Sequence, residues 1–234
     1  MNSYWIESFP NIIKDSKELN ENITADVCIV GGGITGISTA YELSKSGLKV
    51  VILEKDLLSQ KTTGNTTAKI TSSHGLFYSY LANSFSTDYA RKYLFANQNA
   101  IDSIEKKINS ENIDCDFERT DSYIFTSTPE DVQQIEDEVS TVNLLGYPAE
   151  FTTNAPIPLK ISGSIKFPNQ AQFHPRKYVA GLCNSILKNS GKIYENSKVI
   201  DIKRKNNNYI ISTHTASVTS KYLVIATRYP IVRF

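Results

Sequence analysis

The sequence predicts an α/β protein in which a parallel sheet, built around one β-α-β unit, is interrupted by an irregular α+β insertion. Three observations predict it. The apolar run 26–30 ends in three consecutive glycines, Gly31, Gly32 and Gly33. Apolar residues at helical spacing follow from Ile34, and a second apolar run, 49–53, closes on Glu54. A third such run, 222–226, lies far downstream and suits a return to the same sheet.

Each element has a local reason. Residues 1–25 are polar and irregular, with Trp5 and Phe9 as anchors onto the domain. A short apolar run bounded by glycine is a strand buried on both faces of a parallel sheet. From 34 to 46, Ile34, Ile37, Ala40, Tyr41 and Leu43 form one helical stripe, and Gly47 supplies a left-handed stop. With the strand at 49–53 this completes a β-α-β unit. Residues 57–75 are rich in Thr, Ser and Gly and read as loop. Residues 86–109 read as a helix burying Ala90, Tyr93, Leu94, Ala100, Ile101, Ile104 and Ile108. Phe117 and 122–126 read as strand, Pro129 opens a helix to Leu145, and 164–167 is strand-like. Pro175 opens a helix to Lys188, with Gly191 beyond it. Residues 192–227 alternate apolar runs with polar breaks and read as a β-meander. The expected division is a discontinuous nucleotide domain, 1–75 and 171–234, around a partial substrate domain, 76–170.

Composition excludes several partners. With 234 residues and a formal net charge of +1, nothing points to nucleic acid or an anionic membrane surface. No apolar run is long enough to span a bilayer, and the first residues lack the pattern of a signal peptide. Cys28, Cys115 and Cys183 lie far apart without metal-ligand spacing. A reducing, cytoplasmic compartment is the expectation, and Cys28 reads as a small buried hydrophobe.

Gly31-Gly32-Gly33-Ile34-Thr35-Gly36 fits G-x-G-x-x-G directly between a predicted strand and a predicted helix, the context that gives this pattern meaning. Gly31 permits the tight turn, Gly33 lets a pyrophosphate approach the backbone, and Gly36 lets helix and strand pack closely. The amides that open the helix at Ile34 and Thr35 face the phosphates, and the helix dipole favours their charge. Glu54, about 20 residues after Gly33, is placed to hydrogen-bond the adenosine ribose, with Lys55 beside it. A carboxylate there disfavours a 2′-phosphate and hence NADP. The unit is Rossmann-type, and by itself it leaves FAD and NAD both open.

The stretch from Asp26 through Gly36 to Leu43 resembles the start of the FAD-dependent amine and amino-acid oxidoreductases, the D-amino-acid oxidase/glycine oxidase superfamily. Ser3-Tyr4-Trp5 is similar to a branch containing gamma-glutamylputrescine oxidoreductase and relatives with a carboxy-terminal Rieske module. The resemblance covers nearly the whole chain and is strongest over 26–75, 164–182 and 221–230. It implies that a loop rich in Ser, Thr and Gly wraps the pyrophosphate and runs along the flavin. Here that loop carries Thr62, Thr63, Gly64, Asn65, Thr66, Thr67, Ala68 and Lys69, where Thr66, Thr67 and Ala68 depart from the family's Gly-Arg-Asn-Ala-Gly-like string. It further implies that Val199 meets the adenine through its backbone and that Ala226 and Thr227 form the second nucleotide-side motif, with Arg228 where the family has glycine. Phe173-His174-Pro175-Arg176 resembles the family's segment before the helix that re-enters the domain, and His174 there reads as structural, a catalytic role being the competing reading.

The implied reaction oxidises a C–N bond of an amine or amino acid, with a hydride passing to flavin N5. Lys69 is a candidate cation for the reduced flavin, a solvent-facing lysine being the competing reading. His74 lies near the loop, but no motif assigns it a covalent flavin bond. Family members continue well past residue 234, so the expectation is an incomplete enzyme with no assignable catalytic residue. Two classes of function stay open: an FAD oxidoreductase completed by a further chain, and a non-catalytic nucleotide-binding remnant or subunit. An NAD-binding dehydrogenase loses to both, on the threonine-rich loop and the lack of a second-domain pattern.

Overall fold

The computed structural model describes residues 3–229; the expected family likeness at Pro230 and the residues after it lie outside these. In chain order the elements begin with α1 (Tyr4–Ser8), β1 (Ile23–Val30), α2 (Ile34–Lys45), β2 (Val50–Leu53), β3 (Lys69–Ile70), α3 (Tyr78–Ser84) and α4 (Thr87–Glu111). They continue with β4 (Glu118–Thr126), α5 (Val132–Leu144), β5 (Glu150–Thr152), β6 (Gly163–Gln172), α6 (Pro175–Lys188), β7 (Lys192–Tyr194), β8 (Asp201–Lys205), β9 (Asn208–Ser212) and β10 (Ser217–Ile225). The chain forms two compact units. Among the described residues the first holds 3–67, Ser110–Cys115 and 174–229, and the second holds Ala68–Asn109 and Asp116–Phe173.

The first unit is a six-stranded sheet in the order β7-β2-β1-β10-β9-β8. β1 runs parallel to both β2 and β10, and β2 is parallel to β7. β2 is buried at every position and β1 over its last four, as a strand covered on both faces must be. Cys28, Val30, Val51, Leu53, Ile211 and Val218 share one core cluster. The N–H of Gly47, at φ +83°, closes α2 on the Ser44 carbonyl. α2 and α6 both belong to this unit, and Ile37, Ala40, Val179, Leu182 and Ile186 are buried in them.

The second unit is a four-stranded antiparallel sheet in which β6 pairs with β3, β4 and β5. Its core gathers Tyr78, Leu81, Leu94, Ile135, Ile165 and Phe167.

Several expectations are corrected. The amino-terminal stretch contains a short helix, α1, opened by Ser3, whose hydroxyl accepts from the Trp5 amide. The 57–75 stretch holds a 3-10 turn, Thr63–Asn65, and the two residues of β3. α3 and β5 carry no clear periodic signal because both are short. Ala100 is exposed, whereas Ala90, Leu94, Ile101 and Ile108 are buried. The stripe of a long helix is narrower than seven positions, and a small residue tolerates its edge. β7 is no part of a meander: it is a parallel strand beside β2, and only β8, β9 and β10 run antiparallel in succession. The 222–226 run does return to the central sheet, Tyr222 to Ile225 pairing in parallel with Val27 to Val30 of β1, with Tyr222 53% and Ile225 40% exposed. Among the described residues no helix is long and apolar enough to cross a membrane.

Candidate functional site

The site begins where β1 runs out between its two parallel neighbours, the point at which an open α/β sheet places its ligand crevice. Gly31 sits at φ +114°, and a Cβ there would stand 2.6 Å from the Ala226 carbonyl oxygen. Gly36 is tighter still, since its Cβ would lie 1.9 Å from the Gly31 oxygen. Gly33 is different. Its nearest neighbour is the Thr63 hydroxyl at 3.3 Å, with no backbone within 4 Å. Two glycines therefore close the turn against the protein, and the third leaves room in front of the helix.

Gly33 precedes α2 with extended backbone, and Ile37 N–H donates to its carbonyl at 3.0 Å to close the first turn. The amides of Ile34, Thr35 and Gly36 have no carbonyl within the helix to serve. Ile34 N–H donates to Thr63 Oγ1 at 3.1 Å, so the hydroxyl loop already reaches the helix start. Thr35 is exposed there.

Glu54 lies across the same turn. Its Oε2 accepts from Gly32 N–H at 2.7 Å and its Oε1 from Asp56 N–H at 3.0 Å. These bonds fix the carboxylate at the crevice, while each oxygen keeps a further lone pair. Lys55 is exposed, 3.9 Å from Asp56. The segment after β2 folds back so that Ser59 N–H donates to the Gly32 carbonyl at 3.1 Å. Asn65 spends its amide on the carbonyls of Gln60 and Lys61, at 3.2 and 2.6 Å. Thr62 and Thr67 are exposed, and the Thr66 carbonyl accepts from the Trp5 indole at 2.8 Å. Ala68 (φ +61°, buried) and Lys69 (exposed, in β3) open the second unit.

From the other side, Ala226 N–H donates to the Val30 carbonyl at 2.8 Å, which brings 226 and 227 alongside Gly31. Thr227 turns its hydroxyl to the Tyr229 carbonyl at 2.7 Å. Val199 is buried in the core cluster between β7 and β8. The structure thus gathers Gly31, Gly33, Ile34, Gly36, Glu54, Thr63, Ala226 and Thr227 around one turn.

Sequence reasoning missed two groups near this turn. Arg176 is fully buried at the first turn of α6. Its Nε and Nη2 donate to the Phe9 and Pro10 carbonyls at 2.7 and 2.8 Å, and its Nη1 to those of Leu58 and Ser59, both at 3.0 Å. Burial draws its pKa down from the ordinary arginine value. A cation at a helix start opposes the dipole, and that misplacement was the available signal. The second is Glu195, buried and accepting from Leu58 N–H at 2.5 Å. His174 caps α6, its Nδ1 accepting from Lys177 N–H at 3.3 Å. Burial pushes the Cys28 thiol up to about 12. No group of metal-ligating side chains is found among the described residues.

The model of the FAD-dependent oxidoreductase family named DAO matches residues 26–228. YhfW of Bacillus subtilis, a protein named for a Rieske 2Fe-2S centre, is 36% identical over 97% of this chain and 44% of its own length. Gamma-glutamylputrescine oxidoreductase of Escherichia coli is 26% identical over 89% of this chain and 50% of its own. Glycine oxidase from Geobacillus kaustophilus shares the fold, with a TM-score of 0.69 at 18% identity over 87% of this chain and 55% of that one. The chain therefore spans about half the length of the relatives it matches.

Proposed function

This chain belongs to the FAD-dependent oxidoreductase family, and from that premise we propose that it holds the adenosine-diphosphate part of FAD in an enzyme oxidising a C–N bond of an amine or amino acid. The observation that carries the proposal is the opening at Gly33. A Cβ at Gly31 or Gly36 meets backbone, whereas one at Gly33 meets only a hydroxyl. That is the fit expected of a diphosphate cradle: closed behind, open in front, with helix amides facing the gap. In this proposal the amides around Gly33, Ile34, Thr35 and Gly36 and the Thr63 hydroxyl hold the phosphates. Glu54 takes the ribose hydroxyls on its remaining lone pairs, with Lys55 beside it. Thr62, Asn65, Thr66, Thr67, Ala68 and Lys69 follow the cofactor towards the flavin, and Val199, Ala226 and Thr227 line the adenosine side.

Bound FAD supplies a two-electron acceptor, and the residues of this chain bind and orient it. The second unit, read from the sequence as 76–170 and spanning Ala68–Asn109 and Asp116–Phe173 in the fold, is assigned to substrate. A further stretch, on the same polypeptide or on a partner chain, completes the pocket, a reading supported by the length of the relatives. The visible spectrum of the purified chain with added FAD is the test. Gly33→Val should keep the Tm of the parent and lose FAD affinity at least tenfold, because the new side chain fills the diphosphate approach. Equal affinity in the two proteins removes the site.

A further inference from the structure

The amino-terminal residues have no part in the glycine turn, yet they grip the loop that follows it. Trp5, the only tryptophan of the chain, donates its indole N–H to the Thr66 carbonyl at 2.8 Å. One residue on, Ile6 packs over Gly64, where a Cβ would stand 3.0 Å from Ile6 Cγ1. Ser8 Oγ lies 3.0 Å from His174 Nε2, and the Trp5 and His174 rings meet edge to face at 5.0 Å. The Arg176 guanidinium then spans two segments, taking Phe9 and Pro10 on one side and Leu58 and Ser59 on the other.

The loop from 58 to 67 is therefore held at both ends: at its start by Arg176, at its finish by Trp5. A buried guanidinium is expensive to desolvate, and here four carbonyls of otherwise irregular backbone satisfy it. A loop of Thr, Gly and Asn has little core of its own and would have to be ordered by its ligand, at a cost to affinity. A loop held in shape beforehand avoids that cost.

We propose that residues 3–10 form a strap that preorganises the loop 58–67 for FAD, with Trp5 and Arg176 as positioning residues. The proposal rests on the assignment of that loop to FAD made above. It adds that cofactor affinity depends on a stretch upstream of the nucleotide motif.

Trp5→Phe tests it, since the ring stays and the N–H goes. Two measurements are made on the full chain: amide hydrogen exchange without ligand, and FAD affinity by flavin fluorescence. The strap predicts faster exchange confined to 62–67, with α2 and β1 as protected as in the parent. It also predicts about a fivefold loss of FAD affinity, the worth of one neutral hydrogen bond. Unchanged exchange at 62–67 overturns the strap. Faster exchange with unchanged affinity overturns its role in positioning FAD, leaving only a structural anchor. A parent chain that takes up no FAD, while its 62–67 amides still respond to Trp5→Phe, defeats the cofactor assignment itself and with it the role claimed for the strap.

Discussion

At the scale of single residues, the three motif glycines do unlike things, and substitution separates them. Gly36→Ala forces a Cβ to within 1.9 Å of a backbone oxygen, and neither α2 nor β1 can yield without breaking the turn. The expected cost is about 3 kcal/mol, read as a fall in Tm before any cofactor is added. Glu54 makes a different case. Removing its carboxylate leaves the Gly32 and Asp56 amides without their acceptor, so Glu54→Ala should lower the Tm of the free chain as well as FAD affinity. The stability part is about 1–3 kcal/mol. If Glu54→Ala leaves the Tm unchanged, the carboxylate does not hold the turn.

At the scale of elements, the second unit depends on one buried carboxylate. Glu138 on α5 is fully buried, and its two oxygens accept from Tyr78 N–H at 2.7 Å and Ser79 N–H at 2.8 Å. These are first-turn amides of α3, which have no carbonyl inside their own helix, and a negative charge suits that end of the dipole. The same α3 contributes Tyr78, whose hydroxyl donates to the Ser72 carbonyl at 2.6 Å. Glu138→Ala should therefore destabilise by about 2–3 kcal/mol, seen as a lower urea midpoint. Glu138→Gln, which keeps one acceptor, should lose less. Equal losses would mean that packing, and not the acceptor pair, ties α3 to α5. No sequence pattern announces this pair, because a Glu on a helix reads as solvent-facing.

At the scale of the whole molecule, the chain crosses between its two units four times, and 110–115 is a brief return to the first. Ile113 there packs on Gly181, where a Cβ would come within 2.6 Å of it, and Cys115 accepts from His174 N–H at 2.7 Å. Glu111 fastens the return to α2, accepting from Tyr41 Oη at 2.8 Å and Lys45 Nζ at 3.0 Å. Those two donors hold the Glu111 carboxyl below its usual value. Its contribution is therefore present above the unfolded carboxylate pKa and lost as pH falls through the lower folded one. Burial, then Glu111, pushes the Tyr41 phenol up to about 12. That contribution is present below the ordinary tyrosine value and lost as pH rises through about 12. The parent should show both limbs in a plot of urea midpoint against pH, and Tyr41→Phe should weaken both together. A variant whose two limbs match the parent's would show that this contact carries no pH dependence.

The β-α-β unit was legible because its signals are local: apolar runs of strand length, glycines within six positions, a stripe at helical spacing. Backbone sterics and side-chain burial act over neighbouring residues, so sequence alone determined the turn, the helix start and the acid after β2. The partnership of Trp5 with Thr66 spans 61 residues and that of Arg176 with Leu58 spans 118. The place of β7 beside β2, where the pattern reads as part of a meander, likewise joins segments far apart in the chain. Such contacts depend on which surfaces meet once the sheet has formed, and a polar strap or a misplaced arginine has no periodicity to betray its partner. Tertiary structure alone decided how the loop after the acid is held, because only there do the unpaired carbonyls of distant segments converge on one buried guanidinium.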